Sequence, residues 1–243
     1  MTVLLAFDSS TESMALALVT PSGDSIVVDA EGGPQASARL VPEALALLDR
    51  AGLALADLDA IGFGRGPGAF TGLRTACAVA QGLAFGAGKP VLSLDSLMLV
   101  AEDARQQARA AGEPLVGSIW VAMDARMGEI YAGAYRLGGE RWITESEPAL
   151  YAPAALLAQW GEPAAVAGSA LTAFEGRLGL AGRAVRCWPQ AVSRGSALAV
   201  LAGQAWAAGA LLDPADAMPV YVRDKVAQTT QERLDARSAL SAS

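Results

Sequence analysis

Three short clusters in this sequence carry residue types that could do chemistry. Gly64 to Arg74 reads GRGPGAFTGLR, in which Gly64-x-Gly66-x-x-Ala69 satisfies the spacing of a dinucleotide-binding loop. Asp8-Ser9-Ser10-Thr11 sets a carboxylate beside three hydroxyls, and Asp124, Arg126 and Glu129 fall within the stretch DARMGE. A glycine-rich loop holds phosphate through free backbone N–H groups at a helix start. Pro67 removes one such donor, and the chain does not open with the βαβ unit to which the fingerprint belongs. The Walker pattern fails because no Gly-Lys-Ser/Thr follows. The glycines are expected to permit some other close approach.

Several reaction classes drop out on composition. The 243 residues include no histidine, which removes Ser-His-Asp, Cys-His and His-rich zinc chemistry. Cys77 and Cys187 lie 110 residues apart and form no CxxC pair, so both read as buried thiols and no metal site is expected. The formal charge of −7 and the lack of a basic tract argue against direct binding of nucleic acid. With 53% hydrophobic residues the chain can fill a large core. It shows no membrane-length apolar run and no signal-peptide start, so a cytoplasmic protein is expected.

The elements that must position these clusters follow from the apolar runs. VLLAFD, MALALV and SIVV, separated by Ser, Thr, Gly and Pro, predict a three-stranded meander. At an offset of 116, Trp120 to Asp124 falls opposite Leu4 to Asp8, IYAGAY opposite Met14 to Val19, and Gly139 opposite Gly23. The first meander is followed by a helix over ARLVPEALALLDRAG, a strand at AIGFG, a helix from Phe70 to Gly86 and a strand at PVLSL. The second leads to PAALLAQW, a strand at AAVAG and a further helical run. Two β-β-β-α-β-α units in tandem describe a duplicated α/β fold of actin-like (ASKHA) architecture with two lobes. Residues 1–105 would form lobe I, completed by roughly 195–227, and 106–194 lobe II. A polar tail, 228–243, is expected to be flexible.

Within the helix after the glycine-rich stretch, Gly72, Ala76, Ala80, Ala84 and Gly88 recur every fourth residue, so one face bears nothing larger than a methyl group. Either this face is buried in its own lobe or it meets a helix of another subunit. The surrounding apolar surplus favours an interface made by Leu45, Leu48, Phe70, Gly72, Leu73, Ala76, Cys77, Ala80 and Leu83. Pro42 stands near the start of the preceding helix or kinks it.

GRGPGAFTGLR, VLSLDSL, AMDARMGEIYAGAY and PVYVRDKVA, in order and spacing, resemble the bacterial TsaB (YeaZ) family over residues 2 to 227. That resemblance implies an accessory, non-catalytic subunit of the machinery that makes threonylcarbamoyladenosine in tRNA. Its implied partners are the catalytic paralogue TsaD and the ATPase TsaE, with ATP/ADP and metal on those subunits, no cofactor of its own, tRNA contacted only through the complex, and a homodimer when alone. Relatives often carry a histidine-containing stretch where this chain reads GGPQASARLVP. Asp8, Ser9, Ser10 and Thr11 occupy the turn that actin-like ATPases use at nucleotide phosphates; they are either a vestigial nucleotide loop or a self-bonded tight turn. Asp124, Arg126 and Glu129 form the equivalent turn of lobe II. A glycoprotease-like metallopeptidase and a small actin-fold kinase are the rival readings, both short of metal ligands.

Overall fold

A computed structural model describes residues 2–191 and 194–223; the tail 228–243 lies outside them. The first meander forms as β1 (Leu4–Asp8), β2 (Ser13–Val19) and β3 (Ser25–Glu31), followed by α1 (Ala36–Ala51), β4 (Ala60–Gly66), α2 (Phe70–Ala87), β5 (Val91–Asp95) and α3 (Ser96–Ala110). The second unit is β6 (Ser118–Asp124), β7 (Ile130–Gly138), β8 (Arg141–Tyr151), α4 (Pro153–Trp160), β9 (Ala165–Ala167), α5 (Ala170–Ala173) and β10 (Arg186–Trp188). Then α6 (Gly195–Ala207) and the short β11 (Leu211–Leu212) return to the first sheet.

One sheet runs β11-β5-β4-β1-β2-β3 and the other β10-β9-β6-β7-β8. In each, the meander is antiparallel and the strand after the crossover joins its first strand in parallel. This twice-used order is the actin-like architecture. The duplication is not in strict register: Asp8 pairs with Ala15 whereas Asp124 pairs with Ile130, so the second turn is one residue shorter and the offset falls from 116 to 115 beyond it.

Burial follows the two-residue period of the strands. Leu5 and Phe7 of β1 face the core beneath α1 and α2, while Leu4 and Ala6 face a second core shared with α3, α6 and lobe II. Helix α3, beginning just where Asp95 caps its Leu97 and Met98 amides at 2.8 and 3.2 Å, touches both sheets. Residue 105, the expected lobe boundary, falls inside this helix. Helix α6 lies across β1, β2, β3 and β5.

Two expectations change, and of the two positions open to Pro42 the one within the helix is found. Gly72, Ala76, Ala80 and Ala84 are buried within the chain's own lobe, because methyl-sized side chains let α2 lie close against β4 and the end of β1. Leu48, Leu73 and Cys77 are buried with them, so none of these residues is available to a partner. Of the expected interface, Leu45 is exposed at 44%, Phe70 and Leu83 are half-buried, and the neighbouring Phe85 is exposed at 61%. Pro42 sits inside α1, well past its start. Cys187 is exposed, being on the short outer strand β10 where no element covers it.

Candidate functional site: the cleft between the lobes

The glycine-rich stretch serves the turn after β1. A β-carbon at Gly64 would overlap the Asp8 carboxylate, one at Gly68 the Ser10 carbonyl, and one at Gly72 the Ser9 carbonyl. The Gly66 amide donates to Ser96 Oγ at 3.0 Å and the Ala69 amide to the Ser10 carbonyl at 2.7 Å. Two N–H groups that a phosphate cradle would need free are thus bonded within the protein, and Pro67 has none.

Asp8 is fully buried and both its oxygens are engaged. Oδ1 accepts from the Ser10 amide and hydroxyl at 2.9 and 2.7 Å and pairs with Arg194 Nη1 at 2.7 Å; Oδ2 accepts from Ser96 Oγ at 2.6 Å. Ser9 Oγ donates to the Gly72 carbonyl. Arg194, 1% exposed, also donates to Ser10 Oγ, Thr11 Oγ1 and the Ser13 carbonyl, while its buried Nε has no hydrogen-bond partner. Nothing in the sequence marks Arg194, since every partner of its terminal guanidinium nitrogens lies more than 180 residues away.

The lobe II turn is built differently. Arg126 and Met127 adopt left-handed backbone, φ 62 and 56, followed by Gly128 at φ 76. Asp124 accepts from the Arg126 amide at 2.9 Å, and its own amide donates to Ser169 Oγ at 3.0 Å. Arg126 reaches across to Glu12 of lobe I at 2.8 Å, both side chains at least 70% exposed. Glu129 pairs with Arg223 at 2.7 Å. So Asp124, Arg126 and Glu129 combine a local pair with contacts to other segments.

Between the turns lies a cleft of about 560 Å3. Ser10, Thr11 and Phe70 line one wall, Asp124, Tyr131 and Thr172 the other. Its back is fastened by buried acids at the cap and within α3, bonded to aromatic donors of lobe II. Tyr135 OH donates to Asp95 at 2.9 Å and Trp142 Nε1 to Glu102 at 2.9 Å, with Arg105 bidentate on Glu102. Burial pushes the Asp95 carboxyl up, and burial beside that acid pushes the Tyr135 phenol well up. Burial also raises Asp103 to about 6, with Asp29 adding to and Arg194 opposing the shift. Among the described residues no group of three or more His, Cys, Asp or Glu is placed to hold a metal ion. The cleft offers hydroxyls, guanidinium groups and apolar wall, while Asp8, buried behind the lining residue Ser10, is already neutralised by Arg194.

A family model described as "TsaD: tRNA N6-adenosine threonylcarbamoyltransferase" matches residues 31–235. The chain is 38% identical to the Haemophilus influenzae "tRNA threonylcarbamoyladenosine biosynthesis protein TsaB" over 128 residues, 53% of this chain and 51% of that protein. It is 35% identical to the Escherichia coli protein of the same description over 134 residues, 55% of this chain and 54% of the other. The aligned part thus spans about half the length of these curated relatives. The solved structure of YeaZ from Pseudomonas aeruginosa superposes with a TM-score of 0.78 at 35% identity, covering 91% of this chain and all of that one. On the family match and the agreement with YeaZ across both lobes, the chain belongs to the TsaB/YeaZ family.

Proposed function

We propose that this chain works in the formation of threonylcarbamoyladenosine in tRNA as a non-catalytic subunit that binds the catalytic paralogue TsaD and, with it, the ATPase TsaE. One observation carries the reading: the carboxylate that ends β1, where an actin-type cleft would meet nucleotide and metal, is buried with both oxygens taken by Arg194, Ser10 and Ser96. An acid so engaged is not free to hold a metal-bound phosphate or to move a proton. Nucleotide and metal accordingly act on the partner subunits. The negative charge of the chain supports a reading in which tRNA is held by those subunits too. The exposed side of α1 and α2, with Leu45 and Phe85, is the surface for a second copy of the chain, which TsaD replaces. The site of action is the cytoplasm, where tRNA is modified; no helix of the described residues is long and apolar enough to cross a membrane. Among the described residues no metal-ligating group supports the peptidase or kinase reading.

Reconstitution with TsaD and TsaE of the same organism tests this. With tRNA and threonylcarbamoyl-adenylate, nucleoside analysis should find the modified adenosine when TsaD and this chain are both present and none with the chain alone. Modification by the chain alone, or a rate that does not change when it is omitted, would overturn the reading.

A further inference from the structure

The stretch PVYVR bridges the two lobes. Residues 217–223 run without regular secondary structure from the interior of lobe I to the lobe II turn, and 220–223 line the cleft between the lobes. The lobe I anchorage is extensive. Ala217 is buried, its carbonyl accepting from Cys77 Sγ and Gln81 Nε2 at 3.2 Å each. The Val220 amide donates to the Arg65 carbonyl at 2.7 Å. Tyr221 stacks 5.1 Å from the Phe70 ring and accepts from Arg74 Nε, whose guanidinium lies 3.8 Å over that same ring. Among the described residues, the lobe II anchorage rests on Arg223. Arg223 pairs with Glu129 at 2.7 Å and donates to the Ala125 carbonyl at 2.9 Å. Two of the four diagnostic stretches, with GPGAFTGLR in lobe I and DARMGE in lobe II, are thereby joined by PVYVR of another.

We propose that residues 217–223 are an electrostatic latch that holds the mouth of the cleft closed, with Arg223 as its catch. The two sides of the cleft differ in what fastens them. At the back, Asp95, which caps α3, and Glu102 within it are bonded to Tyr135 and Trp142 in a buried setting that salt does not reach. At the front, lobe II is held to the strap by Arg223–Glu129 and directly to lobe I by the exposed Arg126–Glu12 pair. The Arg126–Glu12 pair is exposed, and in the second pair Glu129 is 36% exposed against 12% for Arg223, so both weaken as ionic strength rises, the first more than the second; the front opens while the back stays fixed, and α3 acts as the hinge. Opening widens access to Ser10, Thr11 and Thr172 without breaking either lobe.

Hydrogen exchange read by mass spectrometry on the full chain tests the latch. Peptides covering 217–223 and 124–130 report the front, and peptides covering β1 and α3 report global stability. In Arg223→Ala, and independently in Glu129→Gln, exchange should rise at least about fivefold in both front peptides and not in β1 or α3. Raising salt from about 50 to about 500 mM should do the same to the unmodified chain and add little in either variant. The proposal fails if the front peptides do not change. It also fails if β1 and α3 speed up equally, because that is loss of stability. Should Arg223→Ala not fold, Glu129→Gln and the salt series on the unmodified chain decide.

Discussion

The turns after β1 and β6 occupy the same position in a duplicated fold, yet they have become opposites. Asp8 is sealed by a buried arginine, two hydroxyls and a glycine-lined floor. Asp124 remains partly open, on a turn one residue shorter that spends two left-handed residues to project Arg126 and Met127 outward. Left-handed non-glycine residues each cost on the order of 1 kcal/mol and persist where something else over-determines them. Lobe I holds Asp8, Ser9 and Ser10 of its turn in the core and leaves Glu12 exposed, whereas lobe II keeps Arg126, Met127 and Gly128 of its turn at the surface. A duplicated element can thus lose and retain exposure in one molecule, decided by whether a distant cation is delivered to it.

The comparison can be broken from the lobe I side with the largest effect. Asp8→Asn leaves Arg194 buried without its counter-charge and should cost about 3 to 5 kcal/mol in denaturant unfolding. Ala76→Trp, aimed at the small-residue face, should lower stability by about 3 kcal/mol and drop the melting temperature, because that face is interior. A variant that keeps its stability would return the face to the intermolecular role that its spacing and apolar surroundings suggest.

A smaller effect is set by pH. Burial raises the Asp103 carboxyl from its ordinary 3.8 to about 6, so the folded chain holds that proton more tightly than the unfolded chain. The stabilisation from this group is complete below about pH 4 and is lost as pH rises through 6. Asp103→Asn should therefore gain about 2 kcal/mol over the parent at pH 7 and nothing at pH 4, read as the difference between two pH–stability curves. Smallest of all, Glu12→Gln removes an exposed partner of Arg126 and should cost under about 0.5 kcal/mol, vanishing at high salt.

Strongly patterned elements are legible in the amino-acid sequence alone. The meanders, the β4–α2–β5 unit and α4 follow apolar runs bounded by turn residues, and the structure places them within a few residues. Helix α3 is not among the expected elements, although Leu97, Val100, Ala101, Ala104 and Ala108 recur at helical spacing. Glu102 and Asp103 lie on its buried side, and carboxylates there read as solvent-facing unless Trp142, Arg105 and Gln107 are known to receive them. The four-residue recurrence of Gly and Ala in α2 states that something approaches closely, but spacing does not say what; the neighbours are β4 and the Ser9 turn. The glycine-rich stretch is separable from a phosphate cradle by Pro67, while its true occupant, Asp8, lies over fifty residues upstream. Arg194 has no local signature because its meaning comes entirely from the far end of the chain.

A double-mutant cycle on each turn's Asp/Glu–Arg pair measures the central claim directly. Asp8→Asn with Arg194→Met is compared with Glu12→Gln and Arg126→Met, all by equilibrium unfolding. The account predicts a coupling of about 3 kcal/mol for the buried pair and under about 1 kcal/mol for the exposed one. Equal couplings, or a buried coupling near zero, would contradict it, because Arg194 would then not be what converts the lobe I turn into core.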